Sequence, residues 1–168
     1  MALAIVGVMG SGIEPHVELA APLGRLIAAR GCHLLTGGGG GVMASVSEAF
    51  VAVERRTGRS IGVLPGPDAR PGYPNPFVEI PIRTHLPLSG AMGRDARSRN
   101  HVNVLSSDVV IALPGGEGTR AEVELALRYA RPVLLHGPRA AFWEWPRAEH
   151  AETLDHVARF LAERGIPE

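Results

Sequence analysis

The sequence predicts a doubly wound, Rossmann-like α/β fold: one domain over residues 1–168, three layers deep around a parallel sheet. Three observations carry this. Short runs that are apolar throughout, at 2–8 and 109–113, read as strands buried on both faces, as parallel strands are. Stretches with apolar residues three and four apart alternate with them, as helices covering such a sheet do. Three glycine clusters, at 10–12, 37–41 and 115–118, each follow a strand, where ligands of these folds sit.

In chain order, residues 2–8 form a first strand that ends at Gly10, Ser11 and Gly12. Pro15 suits a first helical turn, and Leu19, Leu23, Leu26 and Ile27 mark the buried face of a helix that Gly31 closes. Pro22 within it predicts a kink. Residues 32–35 are the second strand. Val42, Met43, Val46, Phe50 and Val53 mark the next helix, and 60–64 the third strand. Residues 65–76 hold too much proline and glycine for a helix. A short strand is expected at 77–82 and a helix at 92–105, which carries Arg99 toward the strand at Val109. A helix with Val123, Leu125, Ala126, Leu127 and Ala130 follows the last glycine cluster. Residues 132–135 read as the last strand, and Leu154, Val157, Phe160 and Leu161 as an amphipathic terminal helix.

Composition narrows the function. The formal net charge is zero, which argues against an electrostatic grip on nucleic acid; Arg94, Arg97 and Arg99 form one local basic cluster, partly offset by Asp95. No apolar stretch nears the ~20 residues of a membrane span, and the N-terminus lacks the basic segment of a secretion signal. The expected setting is the cytoplasm, with no membrane partner. Seven histidines show no metal-ligand spacing, so no metal site and no resident cofactor are expected. Cys32 reads as a small core residue. All seventeen basic residues are arginines; without lysine there is no pyridoxal Schiff base.

The chemistry gathers at Pro114, Gly115, Gly116, Gly118 and Thr119, between a buried strand and a helix. That arrangement aims backbone N–H groups and a helix N-terminus at a phosphate. With no lysine, the grip comes from those groups and from arginine forks. The run Gly38, Gly39, Gly40 and Gly41 either lets a ligand approach the backbone or is a flexible turn; lacking a lysine, it is not a P-loop. Gly116-Glu-Gly-Thr-Arg-Ala121 fits a dinucleotide fingerprint. The strand after it, however, has no acidic residue for an adenosine ribose, which argues against NAD. Ser11 either bonds a phosphate or caps its own turn. Glu117 would repel a phosphate, so it must face solvent or meet a cation such as Arg120. Trp143 and Trp145 read as a packed loop rather than a stacking platform.

Pro114-Gly-Gly-Glu-Gly-Thr-Arg-Ala-Glu122 resembles the PGGxGTxxE motif of the LOG (Lonely Guy) family, whose characterised members are phosphoribohydrolases of nucleoside monophosphates. Arg99 stands fifteen residues before Pro114, as the family's arginine does, and the glycine run with Val42 and Met43 is similar to its GGGxxGLM loop. Arg99-Asn100, the 107–112 segment, the glycine turn and the helix after it are still more similar to the molybdenum-cofactor-carrier-like branch. The resemblance implies two functions. One is cleavage of an N-glycosidic bond, with Glu122 stabilising the oxocarbenium and Arg99 on the phosphate or the leaving base. The other is carriage of a phosphorylated pterin or a nucleotide without turnover. It also implies a homodimer, and ligand contacts by Met43, Asn100 and the two glycine loops; Gly10, Ser11 and Gly12 are expected to join them from the end of the first strand.

Overall fold

The computed structural model describes residues 2–67 and 70–166; residue 1, the loop positions 68–69 and residues 167–168 lie outside the description. The strands are β1 (Ile5–Met9), β2 (His33–Thr36), β3 (Ser60–Leu64), β4 (Ile80–Arg83), β5 (Val109–Ala112), β6 (Val133–His136) and β7 (His150–Ala151). The helices are α1 (Val17–Ala29), α2 (Gly41–Val51), α3 (Asn100–Ser106), α4 (Glu117–Arg128) and α5 (Leu154–Glu163). The strands form one sheet in the order β4-β3-β2-β1-β5-β6-β7, with every neighbouring pair parallel. This is the doubly wound, three-layer fold that the sequence predicts.

The layers follow from the two-residue period of a strand. On β5, Val109 and Ile111 pack with residues of α1, α2 and α5, while Val110 and Ala112 pack with residues of α3 and α4. Phe50, Leu23, Leu125 and Leu161 are fully buried in these layers. Each such side chain contributes about 1.5–3 kcal/mol by leaving water.

Strand order also locates the site. The chain runs outward from β1 to β4, then returns to place β5 on the other side of β1. The β1/β5 boundary is therefore the switch point, where loops from neighbouring strands diverge and leave a crevice. Both strands end in glycine turns.

Three local expectations change. The helix expected at 92–105 begins only at Asn100, so Arg99 is its N-cap residue rather than a residue within the helix. Before it lies a single 3-10 turn, Gly90–Met92. Side chains there compete with a helix for backbone groups. Asp95 accepts the N–H of Arg97 at 2.8 Å, and Ser98 Oγ accepts that of Asn100 at 3.1 Å. The strand expected at 77–82 is displaced to Ile80–Arg83, because Asn75 folds the chain back on itself, its Oδ1 accepting the N–H of Phe77 at 3.0 Å. Residues 132–135 are not the last strand: β7 adds two residues beside β6, too short to leave a pattern in the sequence. Pro22 lies within α1, which continues through it.

Candidate functional site

One residue ties the three glycine clusters to a single rim. Ser11 donates its N–H to Pro114 O at 3.1 Å, and its own carbonyl accepts the N–H of Val42, at the start of α2, at 2.9 Å. This close approach requires Gly10: an added Cβ would lie 2.7–2.9 Å from Val42 side-chain atoms. The rim encloses a cavity of about 330 Å³, lined by Gly10, Ser11, Gly12, Met43, Arg99, Asn100, Gly116, Gly118, Thr119 and Glu122. A second chamber of about 380 Å³ adjoins it, shares Gly12, Met43, Gly90 and Arg99, and adds Gly39 and Gly40.

Four expected residues line neither chamber. Gly38 and Gly41 hold left-handed backbone, at φ 74° and 54°, that shapes the run behind the lining. Pro114 supplies the carbonyl that anchors Ser11. Gly115 leaves room for the Thr119 side chain, which a Cβ there would strike.

The cavity sets one buried cation beside one buried carboxylate. Arg99 is 8% exposed and Glu122 7% exposed, with Arg99 Nη1 at 3.8 Å from Glu122 Oε1. The guanidinium packs against Gly37, where any Cβ would collide with Nη1 and Nη2. Asn103 Nδ2 donates to Glu122 Oε1 at 3.0 Å. Burial pushes the Glu122 carboxyl above its usual range, while the Arg99 charge and the Asn103 hydrogen bond pull it back. Arg99 Nε and Nη1, Asn100 Oδ1, Asn103 Oδ1 and Thr119 Oγ1 are buried without a hydrogen-bond partner. Gly116, at the N-cap of α4, offers no side chain to cap the helix, so its first N–H groups remain to be satisfied at the cavity.

Ser11 caps its own turn, Oγ accepting the N–H groups of Ile13 at 3.1 Å and Glu14 at 2.8 Å; its hydroxyl hydrogen remains to donate. Glu117 does not line the cavity: it turns to Arg120 at 2.6 Å and stands 4.0 Å from Arg94. Arg94 also grips Glu124, and Arg120 meets Glu144 at 2.8 Å.

Sequence reasoning missed several residues here. Asn103 stands one helical turn from Arg99 and Asn100, and a buried-face asparagine among apolar residues was the available signal. Gly37 had a signal too, as a member of the glycine run. Tyr73 and Ser89 reach the second chamber from irregular segments, which carry no periodicity to read.

Residues 3–166 match the model of the SLOG cluster4 family. The chain belongs to that family. This SLOG cluster4 protein is similar, at 34% identity, to the molybdenum cofactor binding protein of the phototrophic bacterium Rippkaea orientalis; the match covers 97% of this chain and 98% of that one, with a TM-score of 0.76. It is 32% identical to the molybdenum cofactor carrier protein of Chlamydomonas reinhardtii, over 98% of each chain, with a TM-score of 0.73. An uncharacterized protein of Archaeoglobus fulgidus is 31% identical over 148 residues, 83% of this chain and 88% of that protein. The likeness read from the glycine motif thus stands. Among the described residues, no helix is long and apolar enough to cross a membrane.

Proposed function

We propose that this SLOG cluster4 protein binds a phosphorylated heterocycle in the β1/β5 cavity and holds it without turnover. The ligand class is a pterin of the molybdenum-cofactor kind or a nucleoside monophosphate. The observation that carries this is the set of orphaned buried atoms on one cavity wall: Arg99 Nε and Nη1, Asn100 Oδ1 and Thr119 Oγ1. Each unmet buried group costs about 1–3 kcal/mol, which a ligand recovers by meeting it. The phosphate takes the first-turn N–H groups of α4 and the Thr119 hydroxyl, and Arg99 supplies the cation. The pterin comes first because two similar proteins, at 34% and 32% identity, are a binding protein and a carrier protein of the molybdenum cofactor. Its molybdenum is cargo: among the described residues, no group of three or more His, Cys, Asp or Glu side chains could hold a metal ion. A homodimer, implied by the resemblance, and a cytoplasmic setting, expected from the sequence, belong to the same proposal.

Calorimetric titration with a phosphorylated pterin, GMP and AMP tests this, with chromatography of each mixture for free base. Saturable binding without base release supports it, and binding by none of the three ligands refutes it. A second reading, hydrolysis of a nucleoside monophosphate, is favoured by one observation, the Arg99–Glu122 pair at 3.8 Å. Release of free base would establish that reading instead.

A further inference from the structure

In the glycine run that follows β2, the carbonyls are taken and the N–H groups beyond them are not. The Asn75 N–H donates to Gly38 O at 2.8 Å, and Asn75 Nδ2 donates to Gly39 O at 2.8 Å. In a trans peptide the N–H of the next residue points opposite to the carbonyl. The N–H groups of Gly39 and Gly40 therefore face away from Asn75, and both residues line the second chamber. The Gly39 N–H meets only Met43 Sδ, at 3.4 Å, and a thioether is a weak acceptor. The Gly40 N–H has no acceptor among the described residues. Gly40 is also the N-cap of α2, an 11-residue helix with no side-chain cap, so the positive end of that helix adds to these two groups. Arg99 lines both chambers at their junction and is only 8% exposed, yet its guanidinium donates to none of the described residues, and Nε and Nη1 are buried without a partner. A guanidinium carries five N–H donors, and one phosphate engages two of them as a fork.

We infer that the second chamber is a second anion subsite and that the preferred ligand carries a diphosphate: one phosphate at the N-terminus of α4, the next at the N–H groups of Gly39 and Gly40, and Arg99 bridging the two. The inference rests on the phosphate reading proposed above and goes beyond it in the number of phosphates. Two phosphates that share one guanidinium are close neighbours, which a phosphoanhydride supplies and two separate monoesters do not. The incoming phosphate oxygen takes the Gly39 N–H from Met43 Sδ, and the unbranched Met43 side chain, with three rotatable bonds, swings aside. A weak contact to sulfur thus gives way to a charge-assisted hydrogen bond, about twice as strong as a neutral one. The ligand class is therefore a diphosphate ester, with the monoester as the weaker ligand.

The test titrates the full chain, in metal-free buffer, with GMP and with GDP, which differ by one phosphate. The wild type should bind GDP at least about tenfold more tightly, the worth of one charge-assisted hydrogen bond. Ser89 and Pro71 line the second chamber and not the first, and Ser89 sits in extended backbone at φ −162° that any residue adopts. In Ser89→Asp, and independently in Pro71→Asp, the new carboxylate repels the second phosphate, and the ratio should fall to within about twofold of one. Ser89→Asn, the neutral isostere, should keep the wild-type ratio. A wild-type ratio near one, a ratio that persists in both aspartate variants, or one lost equally in Ser89→Asn overturns the inference and leaves the phosphate reading intact. If neither nucleotide binds, the inference falls, and the phosphate reading falls with it only where a phosphorylated pterin also fails to bind.

Discussion

Arg99→Met removes the cation beside Glu122 while keeping most of the side-chain bulk. Both residues are more than nine-tenths buried, and the charged atoms stand 3.8 Å apart. At an effective dielectric of about 20, that separation is an attraction of about 4 kcal/mol. Without Arg99, Glu122 either stays charged at that cost or takes up a proton. Protonation sets the ceiling. From an ordinary carboxyl value of 4.5, neutralising Glu122 costs about 3.4 kcal/mol at pH 7 and about 1.4 kcal/mol at pH 5.5. The sign follows from burial: a carboxyl raised on folding contributes stability that is full below 4.5 and lost as pH rises through its folded value. Arg99→Met should therefore lose at most about 3 kcal/mol at pH 7, or about 6–12 °C in Tm, and at most about 1 kcal/mol at pH 5.5, since the wild-type carboxyl is already raised. Urea unfolding of wild type, Arg99→Met and Arg99→Met/Glu122→Gln at both pH values measures this. The double variant should recover most of the loss at pH 7 and lose the pH dependence. An equal loss at both pH values, or a double variant no more stable than the single one, would refute the pairing.

Arg99→Ala should weaken ligand binding by about 1.5–3 kcal/mol, the worth of a charged hydrogen bond; an unchanged Kd by calorimetry would remove Arg99 from the site. If any monophosphate is cleaved, Glu122→Gln should abolish base release while leaving Kd within about threefold, because the amide keeps the shape and loses the charge. Gly10→Ala drives a Cβ to 2.7–2.9 Å from Val42 and should cost about 1–3 kcal/mol, read as a lowered Tm that Gly10→Ala/Val42→Ala restores only in part, since the Val42 Cβ at 2.8 Å remains. His136 is buried, its Nδ1 facing Ala151 O at 2.9 Å, and burial lowers its pKa below the ordinary 6.5. Its contribution to stability is present above 6.5 and is lost as pH falls through the folded value, so between about pH 7.5 and 5.5 the wild type should lose more Tm than His136→Gln.

What the sequence made legible is what local pattern can encode. The buried strands β1 and β5 are apolar throughout, and the glycine turns that end them mark the switch point once strands and helices alternate. Arg99 and Glu122 could be paired from the likeness to a family motif. Their burial could not, since it depends on Gly37 leaving room for the guanidinium and on Asn103 reaching Glu122 from the preceding helix. The segment before α3 misled because Met92, Ala96 and Val102 permit a helix, while Asp95 and Ser98 hold the backbone in turns by side-chain bonds that periodicity does not record. Strand β7 was lost to its length. Tyr73 was hidden because a proline-rich loop reads as a connection, whereas this one is bonded to three consecutive glycine carbonyls, those of Gly37, Gly38 and Gly39.

The same geometry weighs holding against cleaving. A carboxylate that stabilises an oxocarbenium must be ionised when the base departs. Glu122 is poorly placed for that: it is 7% exposed, burial raises its carboxyl, and Oε1 is already engaged by Asn103. A phosphate arriving at the start of α4 adds negative charge to the same wall and raises the carboxyl further. It also competes for Arg99, the cation that keeps Glu122 charged. Under the proposed reading, a bound phosphate would therefore favour the neutral acid at Glu122, a form that donates a hydrogen bond and does not stabilise a cation. Glu117, the other carboxylate of the glycine turn, is held at Arg120 and takes no part. The rise of the Glu122 carboxyl with burial is the argument for the proposed carrier reading over the hydrolase.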